Sequence, residues 1–514
     1  MCANTPTTVT ADQRRTRDQT TVFTRIAENP TPALRWAAVA AVLLALEFGA
    51  FVAGAMIVLD SIWMGVTALL ELIVATFSVD AAGYILDVQQ AVTGVLDGVR
   101  EAANSVPTLL SRGTIPNQGY QAAANGPWQD TFLGLSPALA WALRLVLIVA
   151  YALFAAYWVF KGWLVFREHY RSADWTPRDD MIDRLRGHRW AQFGIIVVLL
   201  YVTMALFAPA MGPTTVEQNI MSPYSYDVKY FSDDTGQVET VTAGDANFNS
   251  KSKGAGTENV APMTYDTFSR FHPFGTLTNG RDLFTFMMAG ARISLVVATI
   301  ATGGAALIAT IFALISSFYG GTIDLGIITL SDGITSIPVL LLLILTSSMF
   351  SQHWLANILG GGFLIALIYA FASWSFLWRA VRGPAFQVAQ EQWIDAATSF
   401  GQRPRTIMRK HIFPYVAGYM LIYASLSFGA IIIVLAALSF LNVGIEPPTP
   451  AWGRAVALGD DYVSSPSWHI AIIPGLMIVF VVTGLNALGD GIRDAIDPES
   501  EGGSGADTAT GGGA

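Results

Sequence analysis

The stretch FQVAQEQWIDAATSFGQRPRTIMRKHIFP, Phe386 to Pro414, lies between two long apolar runs, Leu355–Trp378 and Tyr415–Leu441, and its reading decides the architecture. Helix connections are usually only a few residues long, yet Val381 to Pro414 is 34 residues and is patterned as helix. Val388, Trp393, Ile394, Ala396 and Ala397 make part of one helical face apolar. Gly401 is suited to end that helix in the left-handed conformation, and Pro404 to open a second, basic helix, TIMRKHI. Pro414 then sits in the first turn of the next apolar helix. A helix, a glycine break and a second helix, tied to spans at both ends, make a rigid lever that can dock into another protein. The same periodicity fits an amphipathic helix lying on lipid, and spacing alone leaves both readings open.

The chain has 514 residues, of which 53% are hydrophobic and 13% charged. That is too little ionic surface to coat a soluble globule of this size. The apolar residues gather into runs of roughly 20 or more, enough to cross about 30 Å of hydrocarbon as helix, without the period-two alternation of a membrane barrel. The fold class is therefore an all-α polytopic membrane protein. Cys2 is the single cysteine, which excludes an internal disulfide and thiolate zinc sites. The net charge is −9, and only Lys161, Lys229, Lys251, Lys253 and Lys410 are lysines, so a nucleic-acid-binding surface is not expected. The acidic, lysine-poor balance fits either a high-salt setting or a GC-rich genome.

Eight spans are expected. Leu34–Leu59 follows Arg14, Arg15, Arg17 and Arg25, which puts residues 1–33 in the cytoplasm, and Pro137–Phe160 returns there at Lys161, Arg167 and Arg171. These two spans form an N-terminal extension, 34–166. Between them, Ile62–Phe77 and Tyr84–Val99 read as interfacial or packed amphipathic helices on the extracellular side. An arginine-rich cytoplasmic linker covers 167–190, and a core covers 191–498. Its spans are Phe193–Met211, Ile293–Phe318, Leu325–Phe350, Leu355–Trp378, Tyr415–Leu441 and His469–Leu488. A polar extracellular loop at 212–283 is long enough for a small fold of its own. The long cytoplasmic loop is 381–414, and the Gly-rich tail 499–514 is expected to be disordered in the cytoplasm. Both termini are then cytoplasmic, in a multi-pass protein of the cell membrane. Among ionisable groups within spans, Asp332 is a functional suspect and Pro338 a kink; Glu47 and Arg144 either pair, or Arg144 snorkels outward.

Asp395-Ala396-Ala397, then Gly401, Ile412 and Pro414 at matching distances, resemble the coupling motif of ABC importer permeases. HPFGTLTNGRDLF (272–284), GARISL (290–295), LSFLNVGIEPPTPAWG (438–453) and GDGIRDAIDP (489–498) resemble the C-type permease of dipeptide and oligopeptide importers, in the family's order. The resemblance covers roughly 187–498; Asp395 stands where Glu is usual, Leu277 where Asp is frequent, and Asn442 where Gly is frequent. It implies a six-helix type I ABC importer permease core, with two extra N-terminal transmembrane helices beyond it.

The resemblance further implies that Glu391, Trp393, Asp395, Ala396, Ala397, Gly401, Ile412 and Pro414 couple the permease to the ATPase. It also implies that His272, Gly275, Gly280, Arg281, Asp282, Pro447, Pro448 and Trp452 form the extracellular gate or meet the binding protein. Arg281 and Asp282 also read as a local ion pair, and the proline-rich loop as a rigid turn without partner contact. The implied partners are a B-type permease as heterodimer, two ABC ATPase subunits, an extracellular substrate-binding protein and the lipid bilayer. No GxxxxGK[ST] loop, HExxH cluster or GxSxG elbow occurs, so no catalysis and no resident cofactor or metal are expected in this chain. ATP and Mg would sit on the partner ATPases, and the cargo would be di- or oligopeptides or a related small solute. The rival readings are an ion-coupled secondary transporter, which needs several intramembrane carboxylates, and a membrane scaffold.

Overall fold

A computed structural model describes residues 21–75, 79–106, 108–173, 176–254 and 259–496. Residues 1–20, with Arg14, Arg15 and Arg17, and the tail 499–514 lie outside the described residues. The chain divides into two compact units, residues 1–114 with 144–179, and residues 115–143 with 180–514. Among the described residues six helices are long and apolar enough to cross a membrane, or eight if each of two bent pairs is one span. Counted that way, six lie in the core and two in the extension, the first of these being the bent pair Val22–Glu28 and Pro30–Leu46 in place of the expected Leu34–Leu59.

The first unit contains α1 (Pro30–Leu46), α2 (Phe48–Ala75), α3 (Val79–Asn104) and most of α4 (Pro137–Val165). Pro30 opens α1 at a position that has no use for an N–H. The expected span Leu34–Leu59 is not continuous: it breaks at Glu47, whose carboxylate accepts the backbone N–H of Leu110 at 2.9 Å. An acidic group in an apolar run takes whatever donor it can reach, and here that donor is worth a break in the helix. The apolar residues from Phe48 onward join Ile62–Ala75 in one helix, which packs beside α3, and Thr93 donates to Asp60 across that hairpin at 2.9 Å. Phe77 lies outside the described residues. Arg144 is fully buried, so it does not snorkel outward. The α1 and α4 helices are tied by reciprocal bonds: Trp36 Nε1 donates to the Trp158 carbonyl at 2.9 Å, and Trp158 Nε1 to the Trp36 carbonyl at 3.1 Å.

The second unit holds α5 (Arg189–Leu206), α6 (Leu283–Tyr319), α7 (Gly321–Thr335), α8 (Val339–Met349) and α9 (Gly362–Ala389). After these come α10 (Gln392–Ser399), α11 (Phe413–Phe440), α12 (Trp452–Gly459) and α13 (His469–Ile496). Lipid supplies no hydrophobic drive between helices, so close approach needs small side chains. Ala301, Ala305, Ala309 and Ala313, each fully buried and four residues apart, line one face of α6. A Cβ at Gly362 would come within 2.7 Å of Val297 and one at Gly304 within 3.0 Å of Ala370, so α6 and α9 run in the same direction. Gly194, Gly484 and Gly491 allow α5 an equally close approach to α13, which runs antiparallel to it; a Cβ at Gly484 would meet Val197 at 2.3 Å and one at Gly491 would meet Ala191 at 2.3 Å. The kink expected at Pro338 is present as a 77° bend between α7 and α8.

The polar segment folds as expected of a small structure. Strand β1 (Asp227–Ser232) pairs antiparallel with β2 (Gln237–Thr242), Asp227 opposite Thr242 and Ser232 opposite Gln237. Two-residue strands β3 (Thr264–Tyr265) and β4 (Phe271–His272) pair just before α6. This head lies at the start of α6, and the loop after α9 lies at the opposite end of the same helices.

Candidate functional site

The α9 helix runs on to Ala389, further than the apolar pattern suggests, so Val388 belongs to it and not to the docking helix. The chain turns at Gln390, and Glu391 in extended conformation is the N-cap of α10. On that helix Ile394 and Ala397 are buried, while Glu391, Asp395 and Ala396 are open and Trp393 is 38% exposed. Trp393 lies 5.8 Å from both the His411 and the Tyr415 rings.

Gly401 adopts φ +74°, its N–H donates to the Thr398 carbonyl at 2.9 Å, and the Gln402 N–H donates to Ala397 at 3.1 Å. This pair of bonds closes α10 in a Schellman arrangement, as the glycine's position implies. Pro404 opens the short helix Pro404–Ile407, and Pro414 falls in the first turn of α11. Ile407 and Ile412 are fully buried and join Ile394, Ala397, Trp374, Trp378 and Val381 in one apolar cluster with α6 and α9. The lever is therefore seated on the helix core by its inner face, and its outer face is free to meet something else.

One residue escapes the sequence reading. Phe400, beside the glycine, is 87% exposed. It lies off the apolar face that the period picks out; an aromatic at the C-cap of a short helix was the available signal.

At the other end, the side chains expected at the gate are mostly internal. His272 is buried between Asp266 and Asp282, with Nε2 3.2 Å from Asp266 Oδ2 and Nδ1 2.9 Å from Asp282 Oδ2. Asp282 also caps α6, its Oδ1 accepting the Thr285 N–H at 2.7 Å. The local Arg281–Asp282 ion pair is not formed: the Asp282 carboxylate turns to His272 and the Thr285 N–H, and Arg281 is half-buried, which lowers its pKa.

Burial alone would lower the pKa of His272, but the hydrogen bonds and charges of Asp266 and Asp282 outweigh it and raise the value. Asp266 is depressed well below the usual carboxylate range: burial opposes this, but the Arg270 charge and the His272 hydrogen bond prevail. Gly275 and Gly280 both have positive φ, and a Cβ on Gly280 would fall 1.6 Å from the Asn247 carbonyl oxygen. Trp452 is buried with Nε1 donating to the Met287 carbonyl at 2.7 Å. Pro447 and Pro448, joined by a cis peptide, are exposed. Of this set, only the two prolines and part of Arg281 present surface to a partner.

Asp332 is not a lone carboxylate: it pairs with Arg379, and Asp324 pairs with Arg382. Among the described residues no group of three or more His, Cys, Asp or Glu is placed to hold a metal ion.

The family of binding-protein-dependent transport system inner membrane components matches residues 284–501, and the N-terminal transmembrane domain of oligopeptide transport permease C matches residues 176–234. A dipeptide transport system permease protein of Alkalihalophilus pseudofirmus is 30% identical over 325 residues, 63% of this chain and 90% of that protein. An oligopeptide transport system permease protein of Haemophilus influenzae is 33% identical over 233 residues, 45% of this chain and 72% of that protein. A glutathione transport system permease protein of Escherichia coli is 28% identical over 328 residues, 64% of this chain and 92% of that protein. Family members work with a further permease, ATPases and substrate-binding proteins. A multi-pass helical chain with these matches is an inner-membrane transport subunit and not itself the ATPase, and it belongs to the binding-protein-dependent permease family as the C-type permease subunit of an ABC importer.

Proposed function

We propose that this chain and a B-type permease form the translocation path of a peptide importer driven by two ABC ATPases, fed by an extracellular binding protein. The observation that carries the coupling role is the division of α10. Ile394 and Ala397 are held in the core while Glu391, Trp393, Asp395 and Ala396 stay open, with Phe400 beside them. A partner cleft would receive that outer face, and Gly401, Ile412 and Pro414 set its angle. ATP and Mg belong to the ATPases, since this chain has no phosphate-binding loop.

The basic residues Arg403, Arg405, Arg409 and Lys410 support a cytoplasmic position for this loop, with both termini on the same side and the 212–283 head outside. There the head and the exposed Pro447–Pro448 turn would meet the binding protein, while His272, Gly275, Gly280, Asp282 and Trp452 hold that surface in shape. An ion-coupled carrier is the poorer reading, because Asp324 and Asp332 are each matched by an arginine rather than left to bind a proton or cation.

The cargo follows from the relatives' names, which specify dipeptides, oligopeptides and glutathione. In a strain lacking this chain, uptake of a radiolabelled dipeptide should fall to background and return on complementation. Undiminished uptake of dipeptides, longer peptides and glutathione alike would remove the peptide assignment.

A further inference from the structure

The α7 helix is jointed at both ends. Gly320, its N-cap, and Gly321, its first residue, are both at positive φ, and beyond it the chain bends by 77° at Pro338, which has no N–H to carry the hydrogen-bond ladder onward. Between these joints two arginines of α9 reach across to it. Arg382 grips Asp324 with both arms of its fork, Nε to Oδ1 at 2.9 Å and Nη2 to Oδ2, and Asp324 is 8% exposed. Its guanidinium lies 4.8 Å from the Phe386 ring and 5.8 Å from the Trp378 ring, which fixes it on the last turns of α9. Arg379 bonds Asp332, Ser331 Oγ at 3.0 Å and Thr335 Oγ1 at 3.2 Å. Arg382 lies seven residues before the end of α9, and α10 begins three residues after that end.

We propose that Arg382–Asp324, assisted by Arg379–Asp332, is a transmission pair: it makes α7 travel with α9 and the α10 lever, leaving the bend at Pro338 as the hinge against α8. The inference rests on the coupling role of α10. A bidentate arginine pair with restricted solvent access resists shear in a way that apolar contact between smooth helices does not. The more exposed Arg379–Asp332 pair adds direction more than strength. Asp324, Arg382, Asp332 and Arg379 are thus positioning residues, and their loss should separate ATP hydrolysis from transport without separating the subunits.

The test uses the whole importer in proteoliposomes, with transport of peptide and hydrolysis of ATP measured together. Asp324→Asn and Arg382→Gln should assemble with the ATPases and hydrolyse ATP, but move about fivefold less peptide per ATP, the low end of typical coupling energies. The exchanged pair, Asp324→Arg with Arg382→Asp, should recover most of that ratio, as a double-mutant cycle requires of a direct interaction. If Asp324→Asn does not assemble, Asp332→Asn reads the same ratio at the more exposed pair. An unchanged ratio in the assembled single variants, or no recovery in an assembled exchange, overturns the proposal. Failure of the unmutated chain to retain the ATPases would instead overturn the coupling role of α10 itself.

Discussion

His272 holds Asp282 at 2.9 Å, and that same aspartate is the N-cap of the 37-residue helix α6. One carboxylate thus ties the head's last strand to the first turn of a membrane helix. The pKa of His272 is raised above its ordinary 6.5, so its contribution is complete below 6.5 and is lost as pH rises through the elevated folded value. Asp266 is depressed below its ordinary 3.8, so its contribution is present above 3.8 and is lost as pH falls toward the depressed folded value. The cluster is therefore strongest between those two ordinary values. Thermal unfolding of the purified protein should show stability falling as pH rises above 6.5, and His272→Gln should remove that slope along with about 3 kcal/mol at the lower pH. Equal slopes in both proteins would contradict the assignment.

Gly401 has open space where a Cβ would go, so substitution there acts through φ and not through a clash. Gly401→Val should strain the left-handed cap by about 1–3 kcal/mol and misdirect α10, while Gly401→Asn, which tolerates that region, should be mild. The expected outcome is normal membrane insertion for both, with ATPase co-purification lost only for valine. Equal retention by both variants would show that the cap does not set the docking angle.

Phe400 and Ile394 make a contrasting pair. At 87% exposure Phe400 has little to lose on folding, and Phe400→Ala should leave the melting temperature unchanged while weakening ATPase binding by about 2 kcal/mol, as removal of an aromatic anchor does. Ile394 is 4% exposed, and Ile394→Ala should destabilise the chain itself by about 2–5 kcal/mol. Melting curves and binding titrations on the same preparations separate the two; a large stability loss from Phe400→Ala would mean that it is packed.

Trp452→Phe keeps the aromatic body but removes the donor to the Met287 carbonyl. Loss of this hydrogen bond, to a carbonyl that keeps its place in the α6 ladder, should destabilise by about 0.5–1.5 kcal/mol, and Trp452→Leu should do worse because it also loses the ring against Tyr201. Phenylalanine with wild-type stability would place water at that carbonyl.

Hydropathy and charge flanks identify the spans because both are local quantities, and Gly401, Pro404 and Pro414 state their roles through backbone chemistry that a single residue carries. Features that depend on distant partners were illegible. Glu47 looks like a tolerated charge in an apolar run until Leu110, 63 residues on, offers its N–H. Asp282 has Arg281 as its neighbour in sequence, yet a turn brings His272 to it first. Asp332 draws suspicion alone because Arg379 lies 47 residues away. The extent of α9 beyond Trp378 is hidden because Phe386 and Val388 continue the apolar period that α10 was expected to begin.

The most direct test of the account is site-specific crosslinking from the outer face of α10. With Cys2→Ser, a single cysteine at Ala396 is exposed, whereas one at Ala397 would point into the core. A bifunctional maleimide reagent added to native membranes should join the Ala396→Cys chain to an ABC ATPase, and a cysteine at exposed Tyr224 in the head should not. Recovery of the ATPase from Ala396→Cys alone is the result predicted; recovery from neither position, in membranes that still import peptide, would contradict the claim that this helix couples the permease to ATP.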